Sequence, residues 1–195
     1  MPSYVLIDRD GVINQRLIGG YVTSWPQFRF LPGVLEALRL LAENDYSAIV
    51  VSNQACVGKG LLSMEGLNEI TCRFVKEVRN HGGRIESVYY CPHRIEDACM
   101  CRKPSPGLLL RAQREYGFSF RDTFVIGDSE KEVLAAHRLG CPAVLVDAGV
   151  TDIKGQWTGL AQAVVKDLYA AVVFILERDK LQQRPTSTPG PYRSV

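Results

Sequence analysis

Short apolar runs alternate along this chain with stretches in which apolar residues recur every three or four positions. The runs are rich in β-branched and aromatic residues and span residues 4–7, 47–51, 85–90, 123–126, 143–146 and 163–165. Their length and composition are typical of strands buried on both faces. The spacing between them predicts amphipathic helices that begin after Gly33, Ser63, Gly107, Asp128 and Asp167. This alternation predicts a parallel sheet of five to six strands, with right-handed crossovers and helices on both faces.

The pattern is that of one domain. We expect residues 1–180 to form a single doubly wound, Rossmann-like α/β domain, because 195 residues is an ordinary domain length and no internal repeat or linker is visible. No inserted segment is long enough to form a cap over the sheet. Residues 181–195 are dominated by Gln, Pro, Ser, Thr and Gly without an apolar period, which predicts a disordered C-terminal tail.

Composition narrows the class of protein. Hydrophobic residues make up 46% of the chain and charged residues 23%, as in a soluble globular domain. The net charge of +2 is too small to favour nucleic acid or an anionic membrane as a partner, and the longest apolar run, 169–176, is too short to cross a bilayer. Acids at positions 8 and 10 interrupt the N-terminal apolar stretch, so we expect no signal peptide and a cytoplasmic protein. No apolar helix face stands out unexplained, which favours a monomer.

Polar side chains follow the predicted strands. Because the carboxyl ends of parallel strands meet at one edge of a sheet, we expect residues far apart in sequence to gather there. The set is Asp8, Asp10, Ser52, Asn53, Gln54, Arg102, Lys103 and Asp128. Asp8 and Asp10 would repel each other, and a bound Mg2+ would relieve that repulsion because it prefers oxygen ligands. Taken alone, the segment Asp8-Arg9-Asp10-Gly11 also fits a solvated turn.

Together these residues have the chemistry that phosphoryl transfer requires. One aspartate can act as a nucleophile, and a second can serve as general acid and base. A lysine with a hydroxyl and an amide can neutralise charge on the transferring oxygens, while a third acid completes a Mg2+ site. The sequence therefore predicts phosphoryl-transfer chemistry at the edge of the sheet.

A second group of candidate ligands lies directly before Arg102. Its members, in the pattern C-x-H-x5-C-x-C, are Cys91, His93, Cys99 and Cys101. Three thiolates and one imidazole are a usual tetrahedral set for structural Zn2+, with no position left for catalysis; free thiols are the alternative. Zinc in this loop, residues 91–101, would fix the segment that carries Arg102 and Lys103. The remaining cysteines, Cys56, Cys72 and Cys141, are scattered and are expected to be core residues or bystanders.

Four motifs, in order along the chain, resemble those of the haloacid dehalogenase (HAD) superfamily: Asp8-x-Asp10-Gly11, Ser52-Asn53, Lys103-Pro104 and Gly127-Asp128. The resemblance covers residues 4–148. Within the superfamily, Asn53-Gln54, Cys91-Pro92-His93 and Cys101-Arg102-Lys103-Pro104 are similar to small capless phosphatases of the heptose-bisphosphate and histidinol-phosphate phosphatase family. The resemblance implies an HAD fold without a cap domain, a catalytic Mg2+, a structural Zn2+ and a small phosphorylated sugar as substrate.

The resemblance also implies a role for each matched residue. Asp8 would be the nucleophile and a Mg2+ ligand, and Asp10 would be the general acid and base that offers its backbone carbonyl to Mg2+. The other matched residues would be ligands: Ser52, Asn53, Gln54 and Lys103 at the phosphoryl group, Arg102 at the rest of the substrate, and Asp128 at Mg2+. Two positions depart from the pattern of the heptose branch. Glu132 stands where that branch usually has Asp, and Ser129 stands where some members have Lys.

Two loop segments are weaker candidates. Gly19, Gly20 and Tyr21 match a substrate-contact segment of the heptose branch, although an ordinary loop whose tyrosine packs on the core fits them as well. Lys59, between two glycines, could hold a second phosphate or be a solvated lysine.

Three functions remain open from the sequence. The first is hydrolysis of the C7 phosphate of a heptose 1,7-bisphosphate through an aspartyl-phosphate, with the anomer undetermined. The second is the same chemistry on histidinol phosphate. The third is a catalytically silent, zinc-stabilised binding module.

Overall fold

Six parallel strands form one sheet in a computed structural model that describes residues 3–147, 149 and 155–182. The strands are β1 (Ser3–Ile7), β2 (Tyr46–Asn53), β3 (Ile85–Cys91), β4 (Phe124–Gly127), β5 (Ala143–Val146) and β6 (Ala163–Val165). The helices are α1 (Val34–Glu43), α2 (Ala55–Gly58), α3 (Met64–Asn80), α4 (Gly107–Tyr116), α5 (Glu130–His137) and α6 (Leu168–Gln182), with short 3-10 helices at Trp25–Gln27, Phe120–Asp122 and Gln156–Leu160. Each strand predicted from the apolar runs is present, whereas α2 lies in a segment predicted as a loop.

The strands lie in the order β3-β2-β1-β4-β5-β6, and every neighbouring pair is parallel. The chain therefore winds outward twice from the middle of the sheet, first to β3 and then to β6. Where the two halves meet, the Asp8 backbone N–H donates to the Ile126 carbonyl oxygen at 2.9 Å. The crevice outside the carboxyl ends of β1 and β4 is where doubly wound sheets bind ligands.

Helices cover both faces of the sheet, as predicted. Side chains of β1 alternate between the two cores, with Val5 and Ile7 in one and Leu6 in the other. Apolar residues of α1, α3 and α6 complete the first core, and those of α4 and α5 complete the second. Residues 4–7 of β1 and all residues of β4 and β5 are buried and apolar, and a polar residue directly follows each of these three strands.

The helix ends follow local capping rules. The Ser63 hydroxyl oxygen accepts from the Gly66 N–H at 3.0 Å at the start of α3, and an Asp167 carboxylate oxygen accepts from the Ala170 N–H at 2.8 Å at the start of α6. Gly117 ends α4 with φ of +69°, a conformation that glycine adopts without strain. These caps explain why the helices begin and end close to the predicted residues.

The last helix extends to Gln182, two residues past the predicted domain boundary. Residues 183–195, which hold most of the predicted disordered tail, lie outside the described residues, so that expectation stays a prediction. Among the helices that are described, none combines the length and apolar character needed to cross a membrane.

Candidate active site

Two glycines allow the acids of the site to approach one another. Gly11 has φ of +97°, and a Cβ placed on it would lie 2.0 Å from Asp128 Oδ2. A Cβ placed on Gly127 would lie 2.2 Å from the Glu132 Cβ. Any larger side chain at either position would push an acid away, so these glycines bring the ends of β1 and β4 together.

Three buried carboxylates surround one lysine at this edge of the sheet. We call Asp8, Asp128 and Glu132 the acid cluster, because an oxygen of each lies within 4.8 Å of the others. Lys103 Nζ is 2.8 Å from Asp8 Oδ1 and 2.8 Å from Glu132 Oε1, and it donates to the Val51 carbonyl oxygen at 2.7 Å. Lys103 is 1% exposed, so its ammonium group can be charged there only because these acceptors replace water.

Burial and mutual repulsion shape the charges of the cluster. Burial raises the pKa of Asp8, with Lys103 opposing and Glu132 adding to the rise. Burial and the Asp8 charge raise the pKa of Asp128 to about 7. Burial alone would raise the pKa of Glu132 as well. The charge of Lys103 and a 2.5 Å hydrogen bond from the Ser129 hydroxyl instead hold the pKa of Glu132 below its usual value. Full ionisation of the cluster would therefore place more negative charge here than Lys103 alone can balance, and a bound cation would favour that ionised state.

Asp10 faces the same cleft but is held by a different set of donors. Its carboxylate accepts from Arg9 Nη2 at 2.9 Å, from Asn14 Nδ2 at 2.9 Å and from Gln54 Nε2 at 2.6 Å. Burial alone would raise the pKa of Asp10, but the Arg9 charge and these hydrogen bonds bring it below its usual value. The two aspartates of the first motif thus have opposite electrostatic environments.

Residues at the carboxyl end of β2 and directly after it hold the site together, and not all of them face the cleft. The Asn53 side chain makes paired hydrogen bonds with the Lys103 backbone, donating to its carbonyl oxygen and accepting from its N–H, each at 3.0 Å. Gln54 is buried and donates to Ser52 Oγ at 3.0 Å. Ser52 and Asn53 line the cleft, whereas Gln54 lies behind it and orients Asp10 and Ser52.

Most of the predicted site residues meet in one cleft. Its wall consists of Asp8, Asp10, Arg16, Leu17, Gly20, Tyr21, Val22, Ser52, Asn53, Arg102, Lys103, Ser129, Lys131 and Glu132. Of the predicted active-site residues, Gly19, Gln54, Lys59 and Asp128 are not among those that line this cleft, although Asp128 lies beside it in the acid cluster. Lys59 Nζ instead lies 5.2 Å from the centroid of the Tyr21 ring, a cation–π geometry that connects the two weaker candidate loops.

The sequence pattern does not single out three cations of the site. Arg9 is fully buried against Asp10, and Lys131 lies on the cleft wall two residues after Ser129. Arg16 Nη2 is 2.7 Å from Asp128 Oδ1 and 3.1 Å from the Asp10 carbonyl oxygen. The only sequence signal that could have identified Arg16 and Lys131 as site residues is their position, because both lie in segments that follow predicted strand ends.

The cysteine and histidine side chains also converge. We call Cys91, His93, Cys99 and Cys101 the cysteine cluster. Its sulfur atoms are 3.3 to 3.5 Å apart, and His93 Nδ1 is 3.3 Å from the Cys101 sulfur. These distances are far too long for disulfides, but metal–sulfur bonds of about 2.3 Å place tetrahedral ligands roughly 3.7 Å apart. The donor set therefore fits a metal ion that prefers thiolates.

The environment of the cysteine cluster differs from thiol to thiol. Burial raises the pKa of Cys91 to about 12. Burial opposes ionisation of Cys99 too, but hydrogen bonds from Cys101 and Cys91 lower the pKa of Cys99 to about 7. Arg102 Nη1 donates to the His93 carbonyl oxygen at 3.2 Å, so the loop is tied to a residue of the cleft wall.

The fold and the donor sets define a class of protein, and comparison with known proteins specifies it. The HAD-hydrolase-like family model matches residues 100–171 of the chain, in agreement with the fold. The D-glycero-beta-D-manno-heptose-1,7-bisphosphate 7-phosphatase of Bordetella bronchiseptica is 33% identical over 145 residues, covering 74% of this chain and 80% of the relative. The D-glycero-alpha-D-manno-heptose-1,7-bisphosphate 7-phosphatase of Mycobacterium bovis is 37% identical over 140 residues, covering 71% and 74%. The chain belongs to the family of these phosphatases.

Solved structures agree with this assignment. The crystal structure of D,D-heptose 1,7-bisphosphate phosphatase from B. bronchiseptica, complexed with magnesium and phosphate, has a TM-score of 0.84 and 30% sequence identity. The alignment covers 90% of the present chain and 99% of the B. bronchiseptica chain. The corresponding enzyme from Burkholderia thailandensis has a TM-score of 0.63 and 26% identity, with 89% and 98% coverage.

Proposed function

We propose that this protein is a Mg2+-dependent phosphatase that hydrolyses the C7 phosphate of D-glycero-D-manno-heptose 1,7-bisphosphate through an aspartyl-phosphate. The observation that carries the proposal is the contact of Lys103 with Asp8 and Glu132 in a cleft that Asp10 and Ser52 also line. The names of relatives that are about one-third identical over most of the chain support the substrate.

Asp8 is the nucleophile in this proposal. One of its carboxylate oxygens attacks phosphorus, the bond between phosphorus and the sugar oxygen breaks, and Asp10 donates a proton to that oxygen. Asp10 then takes a proton from water, whose oxygen attacks the aspartyl-phosphate and releases inorganic phosphate and free Asp8. Since the resting contacts of Asp10 favour its ionised form, it would gain its proton beside the bound phosphate ester, whose negative charge raises a neighbouring carboxyl pKa.

Lys103 and Ser52 stabilise the transferring phosphoryl group. Lys103 is already held against Asp8, so it needs little rearrangement to contact an oxygen of a phosphoryl group attached there. Ser52 Oγ accepts from Gln54, which leaves the serine hydroxyl hydrogen to donate to substrate. Asn53 acts by fixing the Lys103 backbone, and Gln54 acts by orienting Asp10.

The proposed Mg2+ ligands are Asp8, the Asp10 backbone carbonyl and Asp128. Carboxylate and carbonyl oxygens are the donors that Mg2+ prefers, and this end of the cleft has an excess of acids. When bound, the ion would supply charge that lowers the repulsion between an anionic substrate and Asp8.

The cysteine cluster is proposed to bind structural Zn2+. Three thiolates and one imidazole complete a tetrahedron, so this ion would have no open position for catalysis. Its role would be to order residues 91–101, whose His93 carbonyl oxygen accepts from Arg102. Arg102 is in turn proposed to bind the rest of the substrate.

The loop candidates are proposed as further substrate contacts. Gly20 and Tyr21 line the cleft, and Lys59 lies over the Tyr21 ring, so the pair could place a cation near the second phosphate of a bisphosphate. Gly19 is proposed only as part of the same loop. A monomeric state and a cytoplasmic location stay predictions.

A phosphate-release assay tests the proposal. Purified protein is given the alpha and beta anomers of D-glycero-D-manno-heptose 1,7-bisphosphate and, separately, histidinol phosphate, each with Mg2+ or with EDTA. We expect kcat/KM at least tenfold higher for a heptose bisphosphate than for histidinol phosphate, and loss of activity in EDTA. Equal values or the reverse preference would contradict the substrate, and no turnover of any ester would favour a silent binding module.

A further inference from the structure

Arg16 occupies the space between two proposed metal ligands. One nitrogen atom, Nη2, lies 2.7 Å from Asp128 Oδ1 and 3.1 Å from the Asp10 carbonyl oxygen. A Mg2+ ion would need both oxygens at about 2.0–2.1 Å in near-octahedral geometry. The guanidinium and the ion cannot bridge these two oxygens at the same time.

The charge balance of the cleft explains why a cation is favoured there. When the acid cluster is fully ionised, Lys103 leaves two negative charges uncompensated, and Asp128 is only 3% exposed. Arg16 adds one positive charge at hydrogen-bond distance, and a divalent ion would add two. Arg16 and a divalent ion would each reduce the same repulsion among the carboxylates, so binding of one lowers the free energy gained by binding the other.

The backbone around Arg16 is fixed while its side chain reaches solvent. The Gln15 N–H donates to the Arg29 carbonyl oxygen at 2.8 Å, and Asn14 Nδ2 donates to the Gln15 carbonyl oxygen at 3.0 Å. The Arg16 side chain itself is 32% exposed. Departure of the guanidinium from Asp128 therefore needs only rotation of a flexible side chain, without movement of the loop.

We infer that Arg16 is a built-in competitor of the catalytic cation, which stabilises the ion-free cleft and must leave Asp128 before Mg2+ can bind. This inference rests on the metal site of the proposed function. The apparent association constant for the metal is then the intrinsic constant multiplied by the fraction of molecules in which Arg16 has left Asp128. Removing the Arg16 guanidinium should therefore strengthen metal binding. Removing a residue that supports the metal site would weaken it, so the direction of the change distinguishes the two roles.

Metal binding without substrate tests the inference directly. The probe is Mn2+, a hard divalent ion suited to octahedral oxygen sites, and free Mn2+ is counted by electron paramagnetic resonance. We expect Arg16→Gln to lower the apparent Kd for Mn2+ by about five- to tenfold, the lower end of the range for coupling between two ligands of one protein. In EDTA, the same variant should have a lower Tm than the wild type, because the acid cluster has lost one of its two counter-charges and keeps only Lys103.

Two matched variants separate this effect from a general change in charge. Arg29→Gln removes one positive charge from an exposed side chain of the same segment and keeps the backbone bond to Gln15. Arg16→Lys keeps the charge with fewer donors, and its Kd should fall between those of wild type and Arg16→Gln. An unchanged or weaker affinity in Arg16→Gln, or an equal gain in Arg29→Gln, would overturn the inference. If the wild type and all variants bind no Mn2+, the proposed metal site is also wrong.

Discussion

The acid cluster and the cysteine cluster lie near each other but differ in what holds their side chains in place. The acid cluster is built on the ends of buried strands, contains its own counter-cation in Lys103, and opens into a cleft. The cysteine cluster is formed by the last residue of β3, Cys91, and by three residues of the loop that follows, and its donors hydrogen-bond to one another. The first therefore keeps its shape through ion pairs and backbone geometry, whereas the second would depend on the ion proposed to bind its thiols.

The donor atoms of the two clusters suit different roles, one catalytic and one structural. Hard oxygen donors around a cleft suit a cation that takes part in the reaction with substrate, while a closed set of soft donors suits an ion that only cross-links a loop. The contacts made by Asn53 and Arg102 connect the two regions, since each ties the segment after the cysteine cluster to another part of the site. Loss of either region should therefore affect activity, and loss of the cysteine cluster should also lower the stability of the fold.

The largest expected effect is on catalysis. Asp8→Asn should reduce kcat for phosphate release by about a thousandfold or more, because an amide is a very poor nucleophile. Asp122→Asn is the control, since Asp122 is an exposed acid that precedes β4 at the opposite edge of the sheet. The measurement is steady-state phosphate release with Mg2+. Turnover of Asp8→Asn close to that of Asp122→Asn would refute the assignment of the nucleophile.

The next effect is on stability and concerns the cysteine cluster. Purified protein should contain one zinc ion per chain by elemental analysis, and Cys99→Ser should lose it. We expect a fall in Tm of about 10 °C, since losing ~3 kcal/mol of stability shifts Tm by roughly 2–4 °C per kcal/mol in a domain of this size.

Cys72→Ser is the matched control, because Cys72 is an exposed thiol of α3 outside the cluster. It should keep both its zinc and its Tm. Protein that carries no zinc as purified, or a Cys99→Ser variant as stable as Cys72→Ser, would contradict a structural ion in this loop.

The smallest effect is a pH dependence that originates in Asp128. Its pKa is raised from 3.8 to about 7 in the folded protein, so between these values the folded state holds a proton that the unfolded state has released. The contribution of this group to stability is therefore fully present below about pH 4 and is lost as pH rises through 7. In EDTA, the Tm of the wild type should fall by several degrees from pH 5 to pH 8 relative to Asp128→Asn.

Mg2+ should reverse the trend, because the ion binds the ionised carboxylate. Thermal unfolding with added Mg2+ should show greater stabilisation at pH 8 than at pH 6 in the wild type. Parallel pH profiles for wild type and Asp128→Asn would show that Asp128 has an ordinary pKa and would weaken the contrast between the two clusters.

The site was largely predictable because its residues follow strand ends. Asp8, Ser52 and Lys103 are each preceded by a recognisable local signal, namely an apolar run or the cysteine pattern, and the parallel sheet brings them to one edge. Gln54 and Asn53 were expected at the phosphoryl group, but their hydrogen bonds identify them mainly as positioning residues. Such a distinction depends on side-chain directions that a one-dimensional pattern does not contain.

Local sequence was enough to predict the succession of strands and helices along the chain, the caps at Ser63 and Asp167, and the grouping of the four cysteine-cluster residues, because each of these depends on residues close together in the chain. The meeting of Arg16 with Asp128, 112 positions away, and the place of Lys103 between Asp8 and Glu132 became visible only in the folded chain. The physical reason is that a charged side chain chooses its partner by distance and burial, and both are set only when the crossovers bring separate strands together.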